Sequence, residues 1–290
     1  MRIKSSFTNK ITVDEDLVNE LKDVESIDEE SFNKLLKNRK NTVPNPIISV
    51  IVPVYQEEKI LDDTLKVFTE ELKHKYHFEL IVSDGGSTDK TVAIAEKYAD
   101  YVVKHTKPER QTIAGGRNKG AEIAKGEALI FINGDTVPKD AEIFFQFIYD
   151  WINDLNEYKD CPALACTVTI APEIMRPIDK AFYAVHNNYV RLLNLIGMGM
   201  GRGECQMVKK EAFLKVGGYN EVISAGEDFD LYTRLAKVGR IKFVKRIVVY
   251  ESPRRFRKYG YFRIILSWLA NSITVMILGK SVSKEWEAVR

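Results

Sequence analysis

The stretch Ile130-Phe131-Ile132-Asn133-Gly134-Asp135-Thr136 decides how this chain is read. Three consecutive apolar residues make a strand buried on both faces, and the strand delivers a lone carboxylate, Asp135, into a turn. In an open α/β sheet, ligands bind in the crevice beyond the carboxyl ends of the strands. A carboxylate there, two residues after a polar Asn, suits a hard divalent cation that also holds a phosphate. Asn, Gly and Asp are ordinary turn residues as well, so by itself the stretch equally describes a strand-ending Asx turn. Its company separates the two.

Ile47 to Val54 is a β-branched run typical of a strand buried on both faces. Tyr55-Gln56-Glu57-Glu58 then opens a helix, with acidic residues where the helix dipole favours them. A second strand, Phe78 to Ser83, ends in Asp84-Gly85-Gly86-Ser87-Thr88-Asp89, where Ser87 or Thr88 caps a helix running to Tyr98. A third strand covers Tyr101 to His105. Gly115-Gly116-Arg117-Asn118 begins a helix that leads into the strand bearing Asp135. Further on come a helix over Ile143 to Ile152, a strand from Ala163 to Ile170, and an aromatic helical stretch over 177–200. That stretch runs into the glycine-rich Gly197 to Gly203, read as a loop over the site or a linker. Glu204 to Val208 is a strand, Gly226-Glu227-Asp228 opens a helix through Val238, and Ile241 to Tyr250 is the last strand. Strands alternating with helices of this length predict an α/β fold with a mostly parallel sheet flanked by helices.

The composition sets outer bounds. The chain has 290 residues, 45% apolar and 29% charged, enough to fill a sizeable core. Lys plus Arg number 43 against 41 Asp plus Glu, so nothing points to a polyanionic partner, and no nucleic-acid-binding fold is expected. Cys161, Cys166 and Cys205 form no CxxC pair and read as buried free thiols in a reducing compartment. Met1 to Lys10 lacks the apolar run of a signal peptide, so none is expected. Residues 1–46 are polar, with apolar residues at near-helical spacing, and Pro44 and Pro46 mark their end. His74, His77, His105 and His186 show no metal-ligand spacing and are assigned to packing or surface.

With these residues in hand, the chain resembles the family 2 glycosyltransferases. Val52-Pro53-Val54-Tyr55-Gln56-Glu57, Asp84 to Asp89, Gly116-Arg117-Asn118, Asn133-Gly134-Asp135 and Glu227-Asp228 stand in that family's order across about residues 47–250. The resemblance implies a GT-A fold: a nucleotide-binding half (47–138) and an acceptor half (139–252), between the 1–46 extension and a 253–290 helical segment. It implies an inverting transfer from a UDP- or GDP-linked sugar, assisted by Mg²⁺ or Mn²⁺. By the same resemblance Pro53, Tyr55 and Glu57 cradle the nucleoside, Glu57 bonding the ribose. Asp84, with Gly85 beside it, accepts from the base, and Arg117 faces the donor's phosphates or sugar. Asp135 holds the metal, with Gly134 in the same turn, and the Asp228 of the Glu227-Asp228 pair deprotonates the acceptor. The first aspartate of the usual metal motif is replaced by Asn133, which contributes no charge but still bonds ribose hydroxyls. A catalytically silent nucleotide-binding or membrane scaffold on the same fold is the competing reading.

After the last strand, Arg254-Arg255-Phe256-Arg257-Lys258-Tyr259 precedes an apolar stretch from Ile264 to Leu278. It is shorter than the ~20 residues of a bilayer span. Basic and aromatic residues ahead of it suit a helix lying on anionic lipid through 253–280; packing on the core or on a second copy of the chain weighs equally. Arg254 and Arg255 resemble a stretch that closes the nucleotide site in some family members, so both are candidate phosphate ligands. The expected acceptor is a glycan or lipid-linked molecule, and the expected location is cytoplasmic, at the inner membrane face if the helix lies on lipid.

Overall fold

The computed structural model describes residues 42–106, 108 and 110–278. By contacts the chain divides into Met1–Thr42 and Val43–Arg290. The helices expected before Pro44 lie outside the described residues.

The second unit is built on one eight-stranded sheet. Its strands are β1 (Ile48–Val54), β2 (Phe78–Asp84), β3 (Tyr101–Lys104), β4 (Ala128–Ile132), β5 (Thr136–Pro138), β6 (Ala163–Thr169), β7 (Cys205–Lys209) and β8 (Lys242–Glu251). They lie in the order β3-β2-β1-β4-β7-β6-β8-β5. β1 pairs in parallel with β2 and β4, and β2 with β3, as the continuous apolar runs predict. Beyond β4 the direction reverses: β7 is antiparallel to both β4 and β6, while β8 is parallel to β6 and antiparallel to the short β5. The sheet is therefore mixed, with two of its eight strands running against the rest.

Helices α1 (Leu61–Leu65), α2 (Glu70–Tyr76), α3 (Thr91–Tyr98), α4 (Ile113–Ile123) and α5 (Ala141–Ile152) cover the two faces of the first half. On one face Phe78 stacks on Phe145 at 4.1 Å between ring centroids, with Phe68 meeting both edge-on. Each such buried aromatic contributes roughly 2–3 kcal/mol by area alone. On the other face α4 lies so close to β1 that a Cβ on Gly120 would come 2.4 Å from Ile51 Cγ2, so only glycine fits there. The second half adds α6 (Pro177–Leu195), α7 (Lys210–Lys215) and α8 (Glu227–Leu235), and α9 (Arg254–Tyr259) and α10 (Tyr261–Leu278) close the described chain.

Three local expectations change. Tyr55 to Glu58 forms a turn, with Gln56 at φ 56°, and the helix begins only at Leu61. The reason is a set of tertiary bonds: the Gln56 amide donates to Ser87 Oγ at 2.8 Å, and the Glu57 amide to Thr91 Oγ1 at 2.7 Å. Ser87 and Thr88 are thereby engaged across the loop instead of capping α3, whose Thr91 amide donates to Asp89 Oδ1. The segment 197–203 is not a free loop. Gly199 (φ 76°) and Gly201 pack directly on Tyr232 of α8, where any Cβ would clash.

The C-terminal segment packs on α6. Asp179, fully buried, accepts from Arg257 Nη1 at 2.7 Å, and Arg257 Nη2 and Tyr261 Oη also donate to it. These bonds hold the Asp179 carboxyl well below the usual range, the Arg257 bond most of all. Phe182 meets Phe256, Tyr261 and Trp268 in one aromatic cluster. Among the described residues no helix is long and apolar enough to cross a membrane. All three cysteines are buried and unpaired.

Candidate active site

Two cavities meet where the parallel half of the sheet gives way to β7. The first, about 310 Å³, lies beyond the carboxyl ends of β1, β2 and β4, the crevice that sheet topology designates. Pro53, Tyr55, Glu57, Gly85, Asn133, Gly134, Asp135, Arg254 and Arg255 all line it. Asp84 and Arg117 do not.

Arg254 sits at its centre. Its Nη1 donates to Glu57 Oε2 at 3.0 Å, and its Nη2 to Glu57 Oε1 at 3.2 Å and Asp135 Oδ2 at 3.0 Å. The Glu57 carboxylate expected at a ribose is therefore held by a guanidinium, and the expected phosphate ligand Arg254 bridges two carboxylates. One nitrogen touching both acids shows that Glu57 and Asp135 converge on a single cationic point. That convergence fits a divalent ion: no cluster of three or more ligating side chains exists among the described residues, but Mg²⁺ held partly by substrate phosphates needs only one or two carboxylates.

Asp84 is buried beneath the cavity. Its Oδ2 accepts from the Gly86 and Ser87 amides at 3.0 and 2.9 Å, an Asx turn. Its Oδ1 and the neighbouring Ser83 Oγ are buried with no partner among the described residues. Buried polar atoms left unpaired are uncommon enough to need a reason. Sequence reasoning missed Arg110, whose guanidinium stacks over the Tyr55 ring at 4.5 Å; the long segment between β3 and α4 that carries it gave no motif.

Arg117 is placed elsewhere than at the donor. Fully buried, it donates Nη1 to Glu227 Oε1 at 2.8 Å, and Nη2 to Gly203 O at 2.7 Å and Asn133 Oδ1 at 3.1 Å. Asn118 beside it holds Tyr219 through both backbone groups, accepting from its amide at 2.9 Å and donating to its carbonyl at 3.0 Å. Gly116-Arg117-Asn118 is thus the joint that fixes the acidic pair on the sheet. A charged guanidinium in the interior persists because carboxylate and carbonyl oxygens surround it.

The second cavity, about 490 Å³, is a groove with Glu227 and Asp228 on its lining, together with apolar residues of α6 and α10. Gly226, at φ 90°, turns the chain into α8 and presents the pair. Asp228 Oδ1 accepts from the Phe229 amide at 2.8 Å. Burial, and then the adjacent Glu227 charge, push the Asp228 carboxyl up to about 7, although Arg117 works against them. Arg202 also lines the groove, donating Nε to Glu204 Oε2 at 3.2 Å and Nη2 to Glu251 Oε1 at 2.8 Å. Burial and the neighbouring Glu204 charge raise the Glu251 carboxyl well above its usual value; at Glu204 burial acts the same way, but the Arg202 charge and the hydrogen bonds to the carboxylate together outweigh it and lower that carboxyl. Burial keeps His186 neutral, its imidazole lowered to about 3. Asn133 and Glu204 line both cavities.

Residues 49–150 match the family model for Glycosyl transferase family 2. That stretch, from β1 into α5, is similar to the family 2 glycosyltransferases, and the described sheet and helices match the GT-A fold of the solved neighbours. It is 28% identical over 193 residues to an uncharacterized glycosyltransferase of Haemophilus influenzae, covering 65% of this chain and 62% of that one. It is 29% identical over 157 residues to the human dolichyl-phosphate β-glucosyltransferase, with 48% of each covered. Among solved structures, a mannosyltransferase from Pyrobaculum calidifontis in complex with GDP-Man and Mn²⁺ superposes with a TM-score of 0.59 at 21% identity, over 81% of this chain and 68% of that one. S. aureus TarS 1–349 in complex with UDP-GlcNAc gives 0.54 at 20% identity, over 82% and 68%.

Proposed function

We propose that this chain is an inverting glycosyltransferase moving a sugar from a nucleoside-diphosphate sugar to an acceptor oxygen, with Asp228 as general base. The observation that carries the reading is the shared wall of Asn133 and Glu204, through which a pocket beyond the strand ends opens onto a groove bearing Asp228. The nucleoside lies against Pro53 and Tyr55, and the unpaired Ser83 and Asp84 oxygens supply polar partners beneath it. Arg255 and Arg254 flank the diphosphate, Arg254 exchanging its carboxylate partners for phosphate oxygens. Glu57 and Asp135 hold Mg²⁺ or Mn²⁺, which neutralises the leaving diphosphate when bound; solved relatives of the same fold carry GDP-Man with Mn²⁺ or UDP-GlcNAc.

Phe229 fixes one Asp228 oxygen, and the other takes the proton of the acceptor hydroxyl as its oxygen attacks the anomeric carbon. The bond from that carbon to the diphosphate breaks, its electron pair leaving with the nucleoside diphosphate on the opposite face. A general base serves best when its pKa lies near the working pH, and burial beside Glu227 puts Asp228 there. Arg117 is a positioning residue for this pair. The acceptor is a glycan or lipid-linked molecule. Peripheral membrane contact through 253–280 belongs to the same reading, supported by the exposure of Phe262 and Leu266 next to basic residues.

Thermal denaturation with UDP, GDP and their common sugars, with and without Mn²⁺, tests the donor half. A ligand at a hundred times its Kd adds ~2.7 kcal/mol. A metal-dependent rise with one nucleotide, absent in Asp135→Ala, is expected. No rise with any nucleotide would instead favour the silent scaffold.

A further inference from the structure

The second cavity is unlike the first in chemistry. Its walls are Phe182, Val185, Tyr189 and Leu193 of α6 facing Ile265 and Trp268 of α10, while charged groups gather at one end. Val185 is 72% exposed, and Tyr189, Met198 and Ile265 are exposed as well, so the apolar wall continues out onto the surface. Val185 and Tyr189 on α6 are thus left without protein cover, between Phe182, packed on the α9–α10 aromatics, and buried Leu193. The wall leads inward to Asp228.

At the inner end the charges are matched or negative. Arg202 is 3% exposed and already donates to two carboxylates. Arg117, behind the groove, serves Glu227. Glu204, Glu227 and Asp228 all line the cavity, with Arg202 as the cation among the lining residues and His186 neutral. A phosphate brought here would meet three carboxylates and one guanidinium whose charge is already balanced, so like-charge repulsion opposes it. Two lining nitrogens remain, Arg202 Nη1 and His186 Nδ1, both buried with no partner among the described residues, and Arg202 Nη1 suits a neutral oxygen.

We infer that the acceptor is an amphiphile whose nucleophile is a neutral hydroxyl on a polyol or sugar head, its apolar chain lying between α6 and α10. The inference rests on the proposed transferase reading and narrows its acceptor. The head places one hydroxyl at Asp228 and a second oxygen at Arg202 Nη1. The hydroxyl proton passes to Asp228, the new bond forms at the anomeric carbon, and the nucleoside diphosphate departs. An acceptor that is itself a lipid phosphate already carries an anionic oxygen; it needs no base and finds no cation.

The experiment uses the whole chain with the nucleotide sugar that stabilises it, and follows nucleoside diphosphate release and product mass. Acceptors are a panel of octyl glycosides and dioctanoylglycerol, the matching free sugars, and farnesyl phosphate. Transfer to at least one neutral octyl acceptor is expected, with KM at least tenfold below that of its free sugar, and none to farnesyl phosphate. Val185→Asp with Tyr189→Ser, both at exposed positions, should raise that KM tenfold or more while leaving the donor's KM unchanged. Transfer to farnesyl phosphate overturns the inference. So does equal use of free sugar and octyl glycoside, or donor turnover with no neutral acceptor used. If no nucleotide sugar binds at all, the transferase reading itself fails, a result separate from these.

Discussion

The strand-end pocket and the helix-walled groove, proposed above for donor and acceptor, share a wall yet are built on opposite plans. The pocket takes Pro53, Tyr55, Glu57, Gly85 and Asn133 to Asp135 from the ends of buried parallel strands and the loops that follow them, and adds Arg254 and Arg255 from α9. The groove takes its groups from the sides of α6 and α10 and from the first turn of α8, where helix rotation and loop packing decide what faces inward. One is polar with paired charges; the other is apolar along its length and charged at one end. A site made of strand ends tolerates little variation, whereas a wall of exposed helix residues changes its guest by substitution alone.

Asp228→Asn separates the two most sharply. Transfer should fall by ~10³-fold, within the range for losing a general base, while nucleotide-induced thermal shifts stay as in the parent. The same variant should gain stability. With its carboxyl pushed up to about 7, folded Asp228 keeps a proton that the unfolded chain releases near pH 4. Stability therefore declines as pH rises across that window. Asparagine removes the decline, and a Tm at pH 7 higher by roughly 2–5 °C is expected. Unchanged transfer would remove the base from Asp228 and leave the groove without a role.

On the donor side, Asp135→Ala should abolish the Mn²⁺-dependent part of nucleotide binding, read by titration calorimetry, with transfer lost as a consequence. Retained metal dependence would move the cation elsewhere. Arg257→Ala tests the link between α9 and α6: buried Asp179 loses its cation, which costs roughly 3–5 kcal/mol in buried pairs. Urea unfolding should show that loss. Glu227→Gln gives the smallest effect. In the parent, transfer should rise tenfold per pH unit below about 7 and level off above it, because only the ionised Asp228 accepts a proton. Removing the like charge should move that midpoint down by roughly one unit, measured as the pH profile of kcat/KM.

The same contrast explains what the sequence revealed. Asp135 after Ile130 to Ile132, Pro53 at the end of the first strand and Tyr55 just after it were legible because a strand end fixes where the next side chains go. Asp228 was legible as an acidic helix start. Arg117 was misjudged: its position at the opening of a helix suggested a phosphate, but α4 turns it inward to Glu227, Asn133 and Gly203. What the sequence did not show at Asp84 is that the two glycines after it let the loop fold back on one carboxylate oxygen, leaving the other beneath the pocket. Arg202 and Glu251 carried no signal at all. They are separated by 49 residues and meet only because β7 and β8 both flank β6.

Arg254 has a consequence for how the protein is made. It lies 197 residues after Glu57 and 119 after Asp135. The counterion for these two acids therefore arrives only after the last strand, three residues beyond β8. A chain cut before α9 would keep the sheet's residues yet leave two facing carboxylates with only solvent ions between them.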